Sequence, residues 1–279
     1  MSLVLLTAAG LFARSLQHAQ AIDPGFERER AVILTSGMGV MDYAPAKRVG
    51  LTETLRERLA SLPGVQTVAL AKRVPLSVAM QLIDLLVNDM APGAGGEGVE
   101  VDYGAIGPGY FGALGIPLLR GRDFTGRDDL QAPRVAIVSE AFVRRFWPNV
   151  DPIGRRVHVR TAPGRPERIA LQVVGVARDT KARTLGEEPR PFLFRPWRQA
   201  GEDDMTFIVR TVGDPLPLVP VVRREVQAVD PHLPLMELSP RAPRRARGSD
   251  SGDPVRVAPT GVVCYDSPHR VAAGSLPAR

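Results

Sequence analysis

Three glycines, Gly107, Gly109 and Gly112, are spaced G-x-G-x-x-G directly after the stretch VEVDYGAI at residues 99–106. Dinucleotide-binding loops use this spacing, because their glycines let backbone N–H groups approach a pyrophosphate seated at the N-terminus of a long helix. The flanks argue against such a loop here. A helix starting near Pro108 meets Gly115-Ile116-Pro117 after about two turns, whereas a crossover helix needs roughly ten residues or more. The preceding stretch alternates Val99, Val101 and Tyr103 with Glu100 and Asp102. That is the pattern of a half-wet antiparallel strand, not of a parallel strand buried on both faces. A lone glycine pattern is weak evidence for a nucleotide site.

Other residues with chemical potential are equally isolated. Asp123, Asp128 and Asp129 could serve metal or acid/base work, but Arg120, Arg122 and Arg127 are interleaved with them, which reads as a solvated, self-paired loop. His158 lies between Val157 and Val159 in an expected strand, without HxH or HExxH spacing, and His18, His232 and His269 are scattered. There is no GxxxxGK[ST] loop to hold ATP and no G-x-S-x-G elbow. No catalytic, cofactor-binding or metal-ligating residue is expected, no cofactor is implied, and the chain reads as a non-enzyme.

Composition sets the frame. At 279 residues with 44% hydrophobic residues the chain can build one large or two modest domains, and 27 glycines with 26 prolines predict many turns and short elements. The single cysteine, Cys264, excludes an internal disulfide. The net charge of +6 would raise nucleic acid as a partner, but residues 239–279 hold seven arginines against three aspartates, so that segment supplies +4 of it. The remainder is nearly neutral, and no nucleic-acid partner is expected. Residues 3–13 are apolar and Arg14 follows at once, about half of a membrane span. The stretch lacks the basic region of a signal peptide, and the reading favoured over an amphipathic core helix is the trailing end of a membrane helix.

Two distant segments share one grammar. The first is a strand at 31–35, a helix with Leu51, Leu55, Leu59 and Leu62 on one stripe, Pro63-Gly64, and a strand at 65–70. The second is a strand at 205–210, a helix with Leu218, Val222, Val226 and Val229 at the same offsets, Asp230-Pro231, and a short strand at 233–235. Two such β-α-β units make a split ferredoxin-like α+β lobe, and what lies between them is an insertion. Strands at 135–138, 156–160 and 169–176, with a helix capped by Ser139 and stopped at Trp147-Pro148, make that insertion β-rich. From Ser239 the chain has no periodicity, and residues 239–279 read as a disordered tail.

Several phrases together resemble a known family: RSLQHAQAIDPGF at 14–26, LASLPGV at 59–65, GPGYFGALGIPLLRGRDF at 107–124, VAIVSEAFVRRFWPNVDPIGR at 135–155 and VVGVARD at 173–179. In this order and spacing they resemble the MacB-like periplasmic core domain of MacB/FtsX-type ABC transporter permeases, of the acidobacterial single-chain kind. The resemblance implies a remnant of a first transmembrane helix at 1–16 and a periplasmic core domain at 17–238. Its ferredoxin-like halves fall at about 28–74 and 203–238, around a β-rich insertion at about 75–202. It also implies that residues 107–124 form a short helix and turn in which Tyr110, Phe111 and Leu114 pack inward, Gly115 ends the helix, and the next strand starts at Ile116.

For function the resemblance implies a bacterial inner-membrane permease whose extracytoplasmic domain passes on motion of membrane helices. A separate cytoplasmic ABC ATPase would drive it through membrane and cytoplasmic parts missing from this chain, in a permease homodimer. Later apolar runs are three or four residues long, so nothing after Leu238 is expected to span a bilayer, which reads as truncation or a frameshift. The alternative is a stand-alone extracytoplasmic binding module, and an oxidoreductase built on Gly107, Gly109 and Gly112 stands third.

Overall fold

The computed structural model describes residues 24–27, 30–75, 81–87, 98–160, 168–184, 186–202 and 204–241, with Gly10 and Arg14. Apart from Gly10 and Arg14, the expected membrane-helix remnant lies outside the described residues, as do residues 242–279.

The repeated strand–helix–strand grammar folds as the offsets predict. β1 (Ala31–Ser36) leads to α1 (Pro45–Ala60) and β2 (Val65–Ala71); β10 (Thr206–Thr211) leads to α5 (Leu218–Val229) and β11 (Leu235–Arg241). Pro45 opens α1, where its missing N–H costs nothing. The four strands lie in the order β11-β1-β10-β2, all antiparallel. This is the arrangement of a ferredoxin-like lobe interrupted between β2 and β10. Its helices cover one face. Leu55 and Leu59 of α1 and Val222 and Val226 of α5 are buried against Val32, Leu34, Val68, Leu70, Phe207 and Val209. Leu51, Leu62, Leu218 and Val229 pack at the margins of this core.

Between β2 and β10 come β3 (Leu82–Val87), β4 (Val99–Ile106), α2 (Tyr110–Ala113), β5 (Leu118–Gly121), β6 (Val135–Ser139), α3 (Glu140–Phe146), β7 (Arg156–Arg160), β8 (Arg168–Ala177), β9 (Phe192–Pro196) and α4 (Trp197–Ala200). Their pairings run β4-β3-β7-β8-β6-β9 and return to β4, so six strands close into a ring, with β5 added on β8. Closure leaves these strands no free edge. Inside lie Leu85, Val101, Ala136, Val138, Val157, Val159, Leu171, Val173 and Leu193, with Phe142, Phe146 and Trp147 of the α3 region. Ser139 caps α3, accepting from Phe142 N at 3.2 Å.

Period-two alternation sends the other residues of the same strands outward. Val135 and Ile137 of β6 and Phe194 of β9 join Ile106, Tyr110, Phe111, Leu114 and Phe124. Together they cover Ala31, Ile33, Ala69, Ala71 and Ile208, the face of the ferredoxin-like sheet that bears no helix. Buried on both faces, β6 reads as an unbroken apolar run.

Three expectations are corrected. The last strand runs Leu235–Arg241, not 233–235, so Ser239, Pro240 and Arg241, assigned to the tail, pair with β1. β11 stands at the end of the strand order, where a proline's missing N–H is tolerated. β4 is antiparallel to β3 but parallel to β9, and its Asp102 is 4% exposed instead of facing water. The strand after α2 begins at Leu118, leaving Ile116 buried in the turn before it.

Phe111 is 1% exposed at the centre of the core between the two lobes. Phe111→Ala is expected to cost about 3–5 kcal/mol, read as a lower midpoint of urea unfolding. It should lower hydrogen-exchange protection in β6 and β10 together; loss in one alone would mean that the two lobes open independently.

Candidate functional site

The glycine stretch folds as strand, tight turn and a single helical turn. Gly109, at φ 76°, precedes α2 and its N–H donates to Asp123 Oδ2 at 3.2 Å. A carboxylate of the same chain thus takes an amide that a phosphate would need. Gly107 answers a close approach: its N–H donates to Leu70 O at 2.8 Å, and a Cβ there would lie 2.9 Å from Leu70 Cβ. Tyr110 and Phe111 turn inward, with ring centroids 6.1 and 5.1 Å from that of Phe194. The loop positions aromatic rings, and its Gly107 and Gly109 amides are engaged within the chain.

The three aspartates do not converge. Arg122 donates to both oxygens of Asp128 at 2.8 Å, and Thr125 N donates to Oδ2 at 2.8 Å. Asp123 Oδ1 accepts from Phe124 N at 2.7 Å, and Asp129 Oδ1 accepts from Gln131 N at 2.9 Å. Arg120 instead pairs with Asp151 at 2.9 Å. Burial raises the Asp123 carboxyl, against the donors Phe124 and Gly109. For Asp128 burial also pulls upward, but hydrogen bonds from Arg122 and Thr125 outweigh it and hold the group below the usual carboxylate range. Among the described residues no three His, Cys, Asp or Glu side chains gather to hold a metal ion. His158 sits opposite Leu86 and Ala170, and His232 lies exposed in the turn between α5 and β11. His18, His269 and Cys264 lie outside the described residues.

The polar groups that do gather lie at the seam between the lobes, and sequence reasoning missed them. Buried Asp102 accepts from Arg183 Nη2 at 2.6 Å and from Arg190 Nε at 3.0 Å. On the other side of β4, Tyr103 donates to Glu202 at 3.3 Å, and Lys72 Nζ lies 3.2 Å from the same carboxylate. Buried Arg195 donates to Gln199 O at 2.9 Å and lies over the Tyr103 ring. Burial raises the Tyr103 phenol and lowers the Arg195 guanidinium. Partners some 80–130 residues apart leave no local spacing to read. The signal was a charged residue inside a strand, which alone does not say what covers it.

The chain enters at the same seam. Phe26 is buried with Tyr110 and Phe111, and Glu27 N donates to Leu114 O at 2.7 Å. The Glu27 carboxylate pairs with Arg210 of β10, whose Nη1 donates to Ala113 O at 3.0 Å. Lys181 N donates to Pro24 O at 2.9 Å, and Gly25, at φ 80°, approaches Asp179 so closely that a Cβ would lie 2.6 Å from its carbonyl oxygen. Residues 24–27 are therefore fixed at once to the ferredoxin-like sheet, to α2 and to the segment after β8.

The family model of the MacB-like periplasmic core domain matches residues 1–218 of the 279. The chain belongs to this family. Domains of the family are periplasmic parts of MacB-type ABC transporter permeases. Among solved structures, the chain is similar to the periplasmic region of MacB from Actinobacillus actinomycetemcomitans, with 16% identity, a TM-score of 0.48, and 74% of this chain and 86% of that one covered. It is also similar to the extracellular domain of the noncanonic ABC-type transporter YknZ from Gram-positive bacteria, with 18% identity, a TM-score of 0.45, and 66% and 88% covered. No curated protein matches the chain. Among the described residues of this MacB-like domain, no helix is long and apolar enough to cross a membrane.

The Asp128 loop gives a pH signature with a definite sign. A carboxyl held below its unfolded value contributes stability above that value and loses it as pH falls through the folded one. Asp128→Asn should therefore be less stable than the wild type at pH 7, with the gap in unfolding midpoint narrowing as pH falls from about 5 to 2. A gap that is constant across this range would assign the loss to packing.

Proposed function

We propose that this MacB-like domain is a non-catalytic, extracytoplasmic transmission element of an inner-membrane ABC permease. It passes motion of membrane helices, driven by a cytoplasmic ATPase subunit, to exported substrates or partner proteins outside, with two permease copies working together. The observation that carries this reading is the anchoring of residues 24–27. A displacement arriving along the N-terminal segment meets Phe26 in the core shared by both lobes and Glu27 on Arg210 of β10, so both lobes move with it. A rigid body driven at one anchored point transmits hinge or shear motion without dissipating it internally. The apolar residues 3–13 would then lead in from the membrane. Family membership supports the permease assignment.

Spin labels at Leu130 and Val212, each 67% exposed and in different lobes, test this in a permease that carries this domain, freed of other cysteines and reconstituted with its ATPase. ATP should change the Val212–Val212 distance between two copies and leave the Leu130–Val212 distance within one copy unchanged. Phe26→Ala should abolish the first change while ATP hydrolysis persists. No ATP-dependent change in the wild type would overturn the reading.

A further inference from the structure

A cleft of about 60 Å³ opens at the seam, and its lining includes Arg73, Asp102, Tyr110, Arg183, Phe192 and Phe194. Tyr110 is 3% exposed. It lines the cleft, and its hydroxyl has no hydrogen-bond partner among the described residues. Burial is the influence that raises this phenol, as expected of a group without a donor or acceptor beside it. Native proteins leave few buried polar groups unsatisfied, and each such group asks for an explanation.

Charge and shape narrow the occupant. Arg183 is committed to Asp102, which Arg190 also engages. Arg73, by contrast, is exposed and makes no ion pair among the described residues. The Phe192 and Phe194 rings, with centroids 4.5 Å apart, form an apolar wall beside it. A guanidinium binds carboxylate or phosphate alike, but an apolar wall rewards an organic body.

We propose that this cleft binds a small organic carboxylate, its charged end on Arg73 and the Tyr110 hydroxyl and its short apolar body against Phe192 and Phe194. At roughly 15 Å³ for each water, the space holds about four waters, the size of propionate or butyrate. The proposal stands independently of the transport reading.

The test is saturation-transfer NMR on the full chain, titrated with propionate, butyrate and inorganic phosphate to about 50 mM, a range suited to ligands of so few atoms. Saturable butyrate binding is expected. Arg73→Gln, at an exposed position, should weaken it about tenfold. Tyr110→Phe keeps the ring and removes the hydroxyl; it should weaken binding several-fold at an unchanged unfolding midpoint. Absence of saturation, wild-type affinity in Arg73→Gln, or phosphate binding as tightly as butyrate would each overturn the proposal. Should Tyr110→Phe fail to fold, Arg73→Gln decides alone.

Discussion

One constraint organises the described molecule: a four-stranded sheet with helices on one face must cover the other. A ferredoxin-like lobe standing alone would leave Ala31, Ile33, Ala69, Ala71 and Ile208 against water. Here the ring of strands supplies the cover, and it does so with strands that already wall its own interior. Ala136 and Val138 of β6 face inward while Val135 and Ile137 face the sheet, and β9 divides Leu193 from Phe194 in the same way. The two cores share a wall, so neither lobe is complete without the other. Three of the five sheet residues are alanine, which lets the aromatic pair of α2 approach closely.

An apolar seam between two β structures forces a second problem, because charged groups buried near it lose most of their water. Asp102 is the sharpest case. Stripped of solvent, a carboxylate needs charged donors, and two arginines from the segment between β8 and β9 supply them. Glu202 plays the reciprocal part, joining Lys72 at the end of β2 to Tyr103 on β4. Such pairs add little net stability over apolar packing, yet removing one partner strands a buried charge. The Lys72–Glu202 pair, which joins the two lobes, therefore favours one register of lobe against lobe, while the Asp102 pairs fix the β8–β9 segment on β4.

What was legible in the sequence follows from range. The stripes Leu51, Leu55, Leu59 and Leu218, Val222, Val226 repeat locally, and they became α1 and α5 packed on one face. Ser139 ahead of α3 was legible for the same reason. Closure of the ring was not. It depends on parallel pairings of β4 with β9 and β6 with β8, between segments that no periodicity links, and on β3, whose run LIDLLV breaks the alternation that marks a strand. The alternation in β4 correctly separated two faces. It could not reveal that the Asp102 face would be covered by a distant segment, so burial of that carboxylate went unread.

The glycine spacing shows how a motif can arise from separate causes. In a dinucleotide loop the three glycines serve one ligand. Here Gly107 clears Leu70, and Gly109 supplies a left-handed turn with open space around it, while a Cβ at Gly112 would meet nothing within 4 Å. Two independent backbone demands and one unconstrained position spell the fingerprint. The first two turn the chain sharply enough out of β4 for the α2 aromatics to reach the sheet. They also present the carbonyl ends of α2 to Arg210 and Glu27, where residues 24–27 join the body. The stretch that resembled a nucleotide loop is thus the fitting by which the entering chain grips both lobes.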